Sequence, residues 1–303
     1  MSFSPSKKMA FLSWMAVTLA LLLPVENSLA AVDQNKLANI VEKIIERYQP
    51  SYMGQNGKMR YPMFSVAVSI PYNQEIEDYD ISKVMDSGND VQETILNCKV
   101  YISSRVVAAT VLRWPNVVDQ CPNEPVQWPD VLKKCGRRRN LTWLEVKNTC
   151  KDEVQDGRAD HAEYRILQNF IAFKSQNKDD LLVFYVLASP CDKRCTSESN
   201  PWSILQSIKV IQNWSNYAVV FSNVFKPRNG HDTSEVDRRE ALERLGRSIG
   251  LNNIFRCTGQ GRMQCTSCSG GNTVARYCFS YELLFTSAQQ LGLPQTKFKL
   301  CSR

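Results

Sequence analysis

The chain has 303 residues, a formal net charge of +7 and eleven cysteines. The positive excess is mild, so it permits contacts with phosphates without requiring them. The sequence has no internal repeat and no low-complexity tract. Past its N-terminal segment, no apolar run approaches the about 20 residues that a membrane-spanning helix needs. These features exclude a repeat protein and a polytopic membrane protein. They predict one large domain, or one domain with an insertion, without a membrane partner.

Residues 1–30 are predicted to be a signal peptide. Two lysines precede the apolar run Met9–Leu23, and Ser28-Leu29-Ala30 supplies the small residues that a signal peptidase reads. The run is short for a bilayer, which needs about 20 residues, so a retained membrane anchor is the less favoured alternative. The sequence therefore predicts a secreted, extracellular chain. Two glycosylation sequons, at Asn140 and Asn213, suit that compartment and predict surface sites.

The cysteines of a secreted chain favour disulfides. Cys191 and Cys195 belong to a motif described below, which leaves nine. Nine cannot all pair within one molecule, so one is free or joins two chains into an oligomer. The cluster between residues 257 and 278 contains a C-x-x-C and could alternatively hold a structural zinc, although disulfides are favoured there. The nine are Cys98, Cys121, Cys135, Cys150, Cys257, Cys265, Cys268, Cys278 and Cys301.

The first half of the mature chain begins with regular elements and then becomes irregular. Apolar residues at helical spacing predict a helix over Asp33–Tyr48, with Asp33 as its cap. Short β-branched runs predict strands in Met63–Ile70 and in Cys98–Leu112. The segment 114–157 has four prolines, three cysteines and a basic run at 133–139. We interpret it as a disulfide-stapled insertion with a short helix from Thr142 to Val154.

The second half follows a clean alternating order of helices and strands. Helices are predicted at His161–Phe173, Pro201–Trp214 and Asp232–Ile249, and strands at Leu181–Ala188 and Tyr217–Phe225. Crossover helices of this kind make neighbouring strands parallel, so the sequence predicts an α/β fold. The segment 256–303 is predicted to be a cysteine-rich C-terminal extension. Within it, residues 274–285 could form a strand or a short helix.

The most informative motif joins two segments separated by one predicted helix and one predicted strand. His161-Ala162-Glu163 begins the helix, and Ser189-Pro190-Cys191 follows the strand, with Cys195 four residues later. H-x-E followed by P-C and a second cysteine is the pattern of zinc nucleobase deaminases. A catalytic zinc takes three protein ligands and keeps one position for water. His161, Cys191 and Cys195 supply those three ligands.

Glu163 lies two residues after His161 and need not be a ligand. We predict that it takes a proton from the attacking water and delivers it to the ring nitrogen and then to the departing ammonia. Helix starts at residues 161 and 191 would direct two positive dipole ends at the metal and favour thiolates. The alternative is a core histidine beside a Cys191–Cys195 disulfide, which would close a small loop and stabilise little.

These residues and this order of elements resemble the AID/APOBEC branch of the zinc cytidine-deaminase superfamily, and in particular the secreted novel AID/APOBEC-like deaminases. The resemblance implies a three-layer α/β/α sandwich over residues 31–255, with the insertion at 114–157. It implies zinc at His161, Cys191 and Cys195, and a proton-shuttling Glu163. It also implies substrate contacts from the following residues: Ala162, Ser189, Phe225, Lys226 and Arg228.

The sequence departs from the family pattern at three places. Cys191 and Cys195 are separated by three residues where two are commoner, which still permits coordination if a helical turn forms there. Ala188 stands where the family has a tryptophan that packs on the base. The insertion has no counterpart in the common pattern. These differences bear more on substrate choice than on metal binding.

Two classes of function follow from the sequence. The favoured hypothesis is a secreted, zinc-dependent cytosine deaminase acting on single-stranded DNA or RNA, with a role in defence implied by the resemblance. A free cytidine nucleoside and a purine derivative are alternative substrates of the same chemistry. The second hypothesis is a non-catalytic module with a structural zinc, whose stapled surface binds a partner. The basic run at 133–139 is a solvated loop or a nucleic-acid contact in either case.

Overall fold

The computed structural model of the chain describes residues 32–54, 56–136, 140–173, 177–227, 233–259 and 261–281. The predicted signal peptide, Arg228 and Cys301 lie outside these residues, as do parts of the basic run and of the C-terminal extension. The described α-helices are α1 (Gln34–Tyr48), α2 (Gly88–Leu96), α3 (Asn116–Gln120), α4 (Pro129–Lys134), α5 (Trp143–Thr149), α6 (Ala162–Gln168) and α7 (Glu235–Ile249). The strands are β1 (Tyr52–Met53), β2 (Met59–Arg60), β3 (Phe64–Ile70), β4 (Tyr72–Asn73), β5 (Asp78–Tyr79), β6 (Tyr101–Ile102), β7 (Val106–Thr110), β8 (Leu112–Arg113), β9 (Ala159–Asp160), β10 (Leu181–Ala188), β11 (Asn216–Asn223), β12 (Ile254–Thr258) and β13 (Gln264–Ser267).

Seven of these strands form a central mixed sheet in the order β13-β12-β11-β10-β3-β7-β6. This confirms the predicted α/β class. The expectation of parallel neighbours holds for β10, β11 and β12, whereas β3, β7, β6 and β13 pair antiparallel to their neighbours. The short turn at residues 103–105 reverses the chain between β6 and β7, and such a hairpin gives an antiparallel pair.

The centre of the sheet consists of β3 and β10, whose residues are nearly all buried. Both strands are continuous apolar runs, as expected of strands that are covered on both faces. The predicted strands Met63–Ile70 and Leu181–Ala188 match them within one residue. Alternate residues of β10 belong to two different hydrophobic clusters, Leu182 and Phe184 to one and Val183 and Tyr185 to the other.

Helices therefore cover both faces of the sheet. On one face α1 and α2 contribute buried residues such as Val41 and Ile95 to the cluster that contains Val183. On the other face α6 and α7 contribute Ile166 and Leu242. The helix predicted from Asp33 to Tyr48 is confirmed, and the Asp33 carboxylate accepts hydrogen bonds from two backbone amides of its first turn.

The predicted insertion forms a small structure with a core of its own. The strands β8 and β9 pair with each other at its two ends. Between them lie α3, α4 and α5, packed around three tryptophans, Trp114, Trp128 and Trp143. Disulfides Cys98–Cys121 and Cys135–Cys150 cross-link this region. The helix predicted for residues 142–154 is α5, capped by Thr142, followed by a separate 3-10 turn at Lys151–Glu153.

Three predicted helices need correction. The helix predicted over 161–173 is α-helical only as α6, after which Phe170–Phe173 is a 3-10 segment. The helix predicted over 201–214 is wrong, because only Ser207–Asn213 is helical, as a 3-10 segment. Residues 201–206 form no helix because the backbone amide of Ile204 and the hydroxyl of Ser203 donate instead to the carbonyl of Cys195. The helix predicted from Asp232 begins later, at Glu235, with Ser234 as its cap.

The described part of the cysteine-rich C-terminal segment continues the sheet. The boundary predicted at residues 255/256 falls within β12, and β13 then forms one edge of the sheet. The alternative of a second zinc is wrong, because these cysteines pair as Cys257–Cys265 and Cys268–Cys278. In the segment that the sequence left open, Arg276–Cys278 forms a 3-10 turn. None of the helices in the described residues is long and apolar enough to cross a bilayer.

Candidate metal centre

The candidate site lies where the central strand β10 ends. The backbone amide of Ser189 donates to the carbonyl of Asn223, 2.8 Å away, and so extends the pairing of β10 with β11 by one residue. Pro190 and Cys191 follow directly. His161 belongs to a different segment, in which it follows β9 and is the N-cap residue of α6. The two halves of the sequence motif therefore meet at one end of the sheet.

A tight turn carries the two cysteines. The backbone amide and the hydroxyl of Thr196 both donate to the carbonyl of Cys191, at 3.0 and 3.1 Å. The backbone amide of Cys195 lies 3.4 Å from the sulfur of Cys191. The predicted helix start at Cys191 is wrong, so only α6 directs its N-terminus at the site. The turn nevertheless brings the sulfurs of Cys191 and Cys195 together across their three-residue spacing.

Three potential ligand atoms converge in this turn. His161 Nδ1 lies 2.9 Å from the sulfur of Cys195 and 3.9 Å from that of Cys191, and the two sulfurs are 3.4 Å apart. Tetrahedral zinc with sulfur and nitrogen ligands separates its donor atoms by about 3.5 Å. The sulfurs are not bonded to each other, which contradicts the disulfide alternative. One imidazole and two thiols at these separations fit a zinc ion.

Glu163 lies beside the three ligand atoms. Its Oε1 atom is 2.9 Å from the sulfur of Cys195 and 3.5 Å from His161 Nδ1. The residue is only 5% exposed, although it occupies the first turn of a helix. A carboxylate is rarely buried so far without a partner or a purpose. Its position next to the cluster gives it both.

The protein groups of the site shift one another's ionisation. Burial opposes the charged form of His161, but hydrogen bonds with Cys191 and Glu163 raise its pKa to about 10. The hydrogen bond with Cys195 lowers the pKa of Cys191 to about 5, whereas burial raises the pKa of Cys195. Burial opposes ionisation of Glu163, yet its hydrogen bond with His161 lowers the pKa. Cys191 is thus prepared as a thiolate, the form that binds a metal.

The residues predicted to contact a substrate lie around the same end of the sheet. Ala162 is buried directly after His161. The Ser189 hydroxyl accepts a hydrogen bond from the backbone amide of Phe225, at 3.0 Å. The ring of Phe225 then lies 6.5 Å from the imidazole of His161. Lys226 is exposed, with its ammonium 5.3 Å from the ring centre of Tyr281. Arg228 lies outside the described residues.

Two arginines that sequence reasoning missed bond the segments that carry the site to the backbone around them. Arg194, between the two cysteines, donates to the carbonyl of Ala159, two residues before His161. Arg165 is buried in α6 and donates to the backbone carbonyls of Cys98 and Thr110. Desolvation lowers its pKa to about 10. A buried arginine within an apolar helix face was the available signal for Arg165, whereas nothing local in the sequence indicated the contact of Arg194.

A mixed sheet covered by helices, with a His-Cys-Cys cluster beside a buried glutamate at one end, resembles the site of a zinc deaminase. Residues 144–281 match the model of the family Secreted Novel AID/APOBEC-like Deaminase 1. This match confirms, over that segment, the resemblance to the AID/APOBEC-like deaminases seen in the motif. No curated protein and no solved structure shows significant similarity to the chain.

The match and the cysteines agree on the compartment. The matched family is named as secreted. Eight cysteines of the described residues form four disulfides, and such bonds persist in oxidising surroundings. The predicted sequon residues Asn140 and Asn213 are both exposed, and their glycosylation stays a prediction. These features fit an extracellular protein.

Proposed function

We propose that the protein is a zinc-dependent cytosine deaminase that acts on single-stranded polynucleotide. The observation that carries this proposal is the position of Glu163, a buried carboxylate 2.9 Å from one ligand sulfur and 3.5 Å from the ligand nitrogen. A purely structural zinc site has no use for a proton carrier at that place. The family match over residues 144–281 supports the same reaction class.

His161, Cys191 and Cys195 would hold the zinc. When bound, zinc supplies Lewis acidity, which lets water ionise near neutral pH. The N-terminus of α6 points its partial positive charge at the site and stabilises the thiolates. Arg194 ties the cysteine turn to the backbone before His161, and so keeps the ligands at fixed separations.

Glu163 moves the protons of the reaction. Its carboxylate takes a proton from the attacking water and delivers it to the ring nitrogen of the base. A second transfer protonates the amino group, which leaves as ammonia. The overall reaction balances: cytosine and water give uracil and ammonia. Burial keeps bulk water away from Glu163, so its protons go to the substrate.

The rim of the site favours a nucleotide chain over a free base. Phe225 offers an aromatic ring near His161, and Lys226 is an exposed cation next to it in sequence. Aromatic rings and cations together hold single strands through their bases and phosphates. The base must be unpaired or flipped, because its amino-bearing carbon cannot be reached inside a duplex. Free cytidine and purine derivatives are the alternative substrates to be tested.

The test compares wild type with Glu163→Gln, which keeps the shape of the side chain and removes its basicity. Ammonia release and cytosine-to-uracil conversion are measured on cytidine and on single-stranded DNA and RNA. We expect turnover to fall about 10²- to 10⁴-fold, the usual contribution of a general acid and base. Glu243→Gln, at a half-buried position of α7 that pairs with Arg239, is the matched control and should retain activity.

Two results would contradict the proposal. Wild-type turnover that survives Glu163→Gln would remove the role given to this residue. A folded wild type that holds zinc but converts no cytosine substrate would favour the rival function, a non-catalytic binding module.

A further inference from the structure

Trp202 lies exposed in the segment that follows the cysteine turn. The residue is 38% exposed, and among the described residues it is the one tryptophan in the set of exposed large apolar side chains. The guanidinium of Arg194 lies 4.9 Å from the centre of its ring. An arginine stacked on a tryptophan holds the ring in place through a cation–π contact. This contact leaves an oriented aromatic surface open to solvent.

Two contacts fix this pair close to the metal centre. Arg194 is the neighbour of Cys195 in sequence and donates to the carbonyl of Ala159. Ser203, which follows Trp202, donates from its hydroxyl to the carbonyl of Cys195. The segment around Trp202 is thus hydrogen-bonded to the proposed ligand Cys195. Arg194, which stacks on the Trp202 ring, is hydrogen-bonded to β9, the strand that precedes the proposed ligand His161. Trp202 therefore lies beside the cysteine turn of the site.

A cleft of about 510 Å³ lies along the same segment, and its walls include Asn200 and Ser203, which lie within two residues of Trp202. Three of its lining side chains are cations, Lys209, Arg244 and Arg247. Arg247 pairs with Glu198 and Arg244 pairs with Glu240, so Lys209 is the cation that neither pair uses. Such a polar, positive cleft suits phosphate groups rather than an apolar ligand. An exposed aromatic ring beside a positive groove is the arrangement with which proteins bind single-stranded nucleic acid.

We propose that Trp202, oriented by Arg194, stacks a nucleobase that neighbours the target cytosine, while the backbone phosphates of the strand follow the cation-lined cleft. This inference rests on the proposed function and specifies its substrate as a chain of several nucleotides. A free nucleoside has no neighbouring base and no phosphate, so it gains nothing from either contact. Trp202 is accordingly a specificity-determining residue.

The experiment compares Trp202→Ala and Trp202→Phe with Tyr72→Ala as the control. Tyr72 is an exposed aromatic residue that follows β3, at the end of the sheet opposite the site. Loss of one stacked base costs about 5- to 150-fold. We expect the ratio of kcat/KM on a single-cytosine oligonucleotide to kcat/KM on cytidine to fall by that factor in Trp202→Ala, mainly through KM. Trp202→Phe should restore most of the ratio, and Tyr72→Ala should leave it unchanged.

An unchanged ratio in Trp202→Ala, or an equal loss on both substrates, would overturn the stacking role. For the cleft, Lys209→Gln should reduce the slope of log affinity against log salt by about 0.7, the value for one phosphate contact on a single strand. Lys83→Gln, an exposed change elsewhere, should leave the slope unchanged. An unchanged slope in Lys209→Gln would remove the cleft from the path of the strand.

Binding measured in the Glu163→Gln background separates this inference from the proposed function. If wild type deaminates nothing but the oligonucleotide still binds and loses affinity in Trp202→Ala, the deaminase assignment fails and the stacking site stands. If wild type deaminates cytidine and the oligonucleotide equally, and Trp202→Ala changes neither, the deaminase stands and the stacking site fails.

Discussion

Cys195 contacts every other member of the candidate site. Its sulfur is 2.9 Å from both His161 Nδ1 and Glu163 Oε1, and 3.4 Å from the sulfur of Cys191. Serine at this position has almost the same size, but its hydroxyl stays protonated at neutral pH and binds zinc poorly. We expect wild type to hold one zinc per chain and Cys195→Ser to hold far less, as measured by metal analysis of the folded protein.

The control removes two cysteines without touching the cluster. The Cys135–Cys150 disulfide lies in the insertion, so the double variant Cys135→Ser/Cys150→Ser should retain its zinc if it folds. Equal zinc in wild type and in Cys195→Ser would contradict the ligand assignment. So would a folded, unchelated wild type that holds none.

At the scale of single residues, the sequence predicts the proposed ligands and the proton carrier better than it predicts the residues that hold them in place. His161, Glu163, Cys191 and Cys195 stand out because their types and spacing are local properties of the chain. The bond from Arg194 to Ala159 joins residues 35 positions apart, and the stacking of Arg194 on Trp202 depends on how the turn folds. Contacts of this kind exist only after the sheet has brought both segments together.

At the scale of elements, the insertion is bonded to the strand that carries His161. The indole nitrogen of Trp128 donates to the carboxylate of Asp160, 2.8 Å away, and Asp160 directly precedes His161. The amide oxygen of Gln127 accepts a hydrogen bond from Arg165 in α6. The insertion therefore supports the position of His161 from two directions, which gives a structural role to a segment outside the common family pattern.

Two tryptophans of the insertion allow a matched test of this support. Trp128→Phe removes the bond to Asp160, whereas Trp143→Phe removes an indole N–H that has no hydrogen-bond partner among the described residues. Both changes remove the same volume from buried positions. We expect Trp128→Phe to lower the free energy of unfolding by about 1–2 kcal/mol more than Trp143→Phe, because a bond to a charged group is lost. Denaturant unfolding measures the difference.

Zinc release gives a second comparison of Trp128→Phe with Trp143→Phe. Trp128→Phe should release zinc to a chelator more readily than Trp143→Phe, since support of a metal ligand contributes to metal affinity. If the two variants release zinc alike and unfold alike, the insertion does not position His161.

The elements themselves were predicted unevenly. The strands Leu181–Ala188 and Met63–Ile70 were clear because burial on both faces makes them continuously apolar. The helix predicted over 201–214 failed because the amide of Ile204 is used by the carbonyl of Cys195, a competing bond that no helical periodicity shows. Local propensity yields to such tertiary contacts.

At the scale of the whole molecule, a buried ionic network closes the end of the sheet opposite the site. The Asp180 carboxylate accepts hydrogen bonds from the Ser69 hydroxyl and from Arg105, both at 2.8 Å. Arg105 also donates to the carbonyl of Ser69, and Trp214 donates to the Ser69 hydroxyl. The network therefore joins β3, β10, the turn before β7 and the 3-10 segment that precedes β11.

Removing this carboxylate should destabilise the fold and spare the chemistry. Asp180→Ala leaves Arg105 without its partner, and loss of a buried partner costs about 3 kcal/mol. Asp130→Ala removes a more exposed ion pair with Arg158, which contributes at most about 1 kcal/mol. Thermal unfolding should show a much larger fall in Tm for Asp180→Ala. Similar shifts in both variants would contradict the role of the network.

The overall fold was predicted only in class. The order of helices and strands predicts an α/β sheet, and the parallel trio β10, β11 and β12 follows from its crossover connections. The antiparallel strands were not predicted, because pairing between β3 and β7 depends on contacts across forty residues rather than on any local pattern. The sheet also continues past residue 255, where short strands among glycines and cysteines gave no apolar signal.

Two of the four disulfides of the described residues lie at the two edges of the seven-stranded sheet. At one edge, Cys257–Cys265 joins the edge strand β13 to its neighbour β12. At the other edge, Cys98, which is bridged to Cys121, lies three residues before the edge strand β6. Outer strands are where fraying begins and where digestive enzymes and neighbouring molecules gain entry. Because these edges are cross-linked, the folded protein should resist proteases outside the cell. Mild reduction should therefore turn a trypsin-resistant domain into one that trypsin cleaves rapidly.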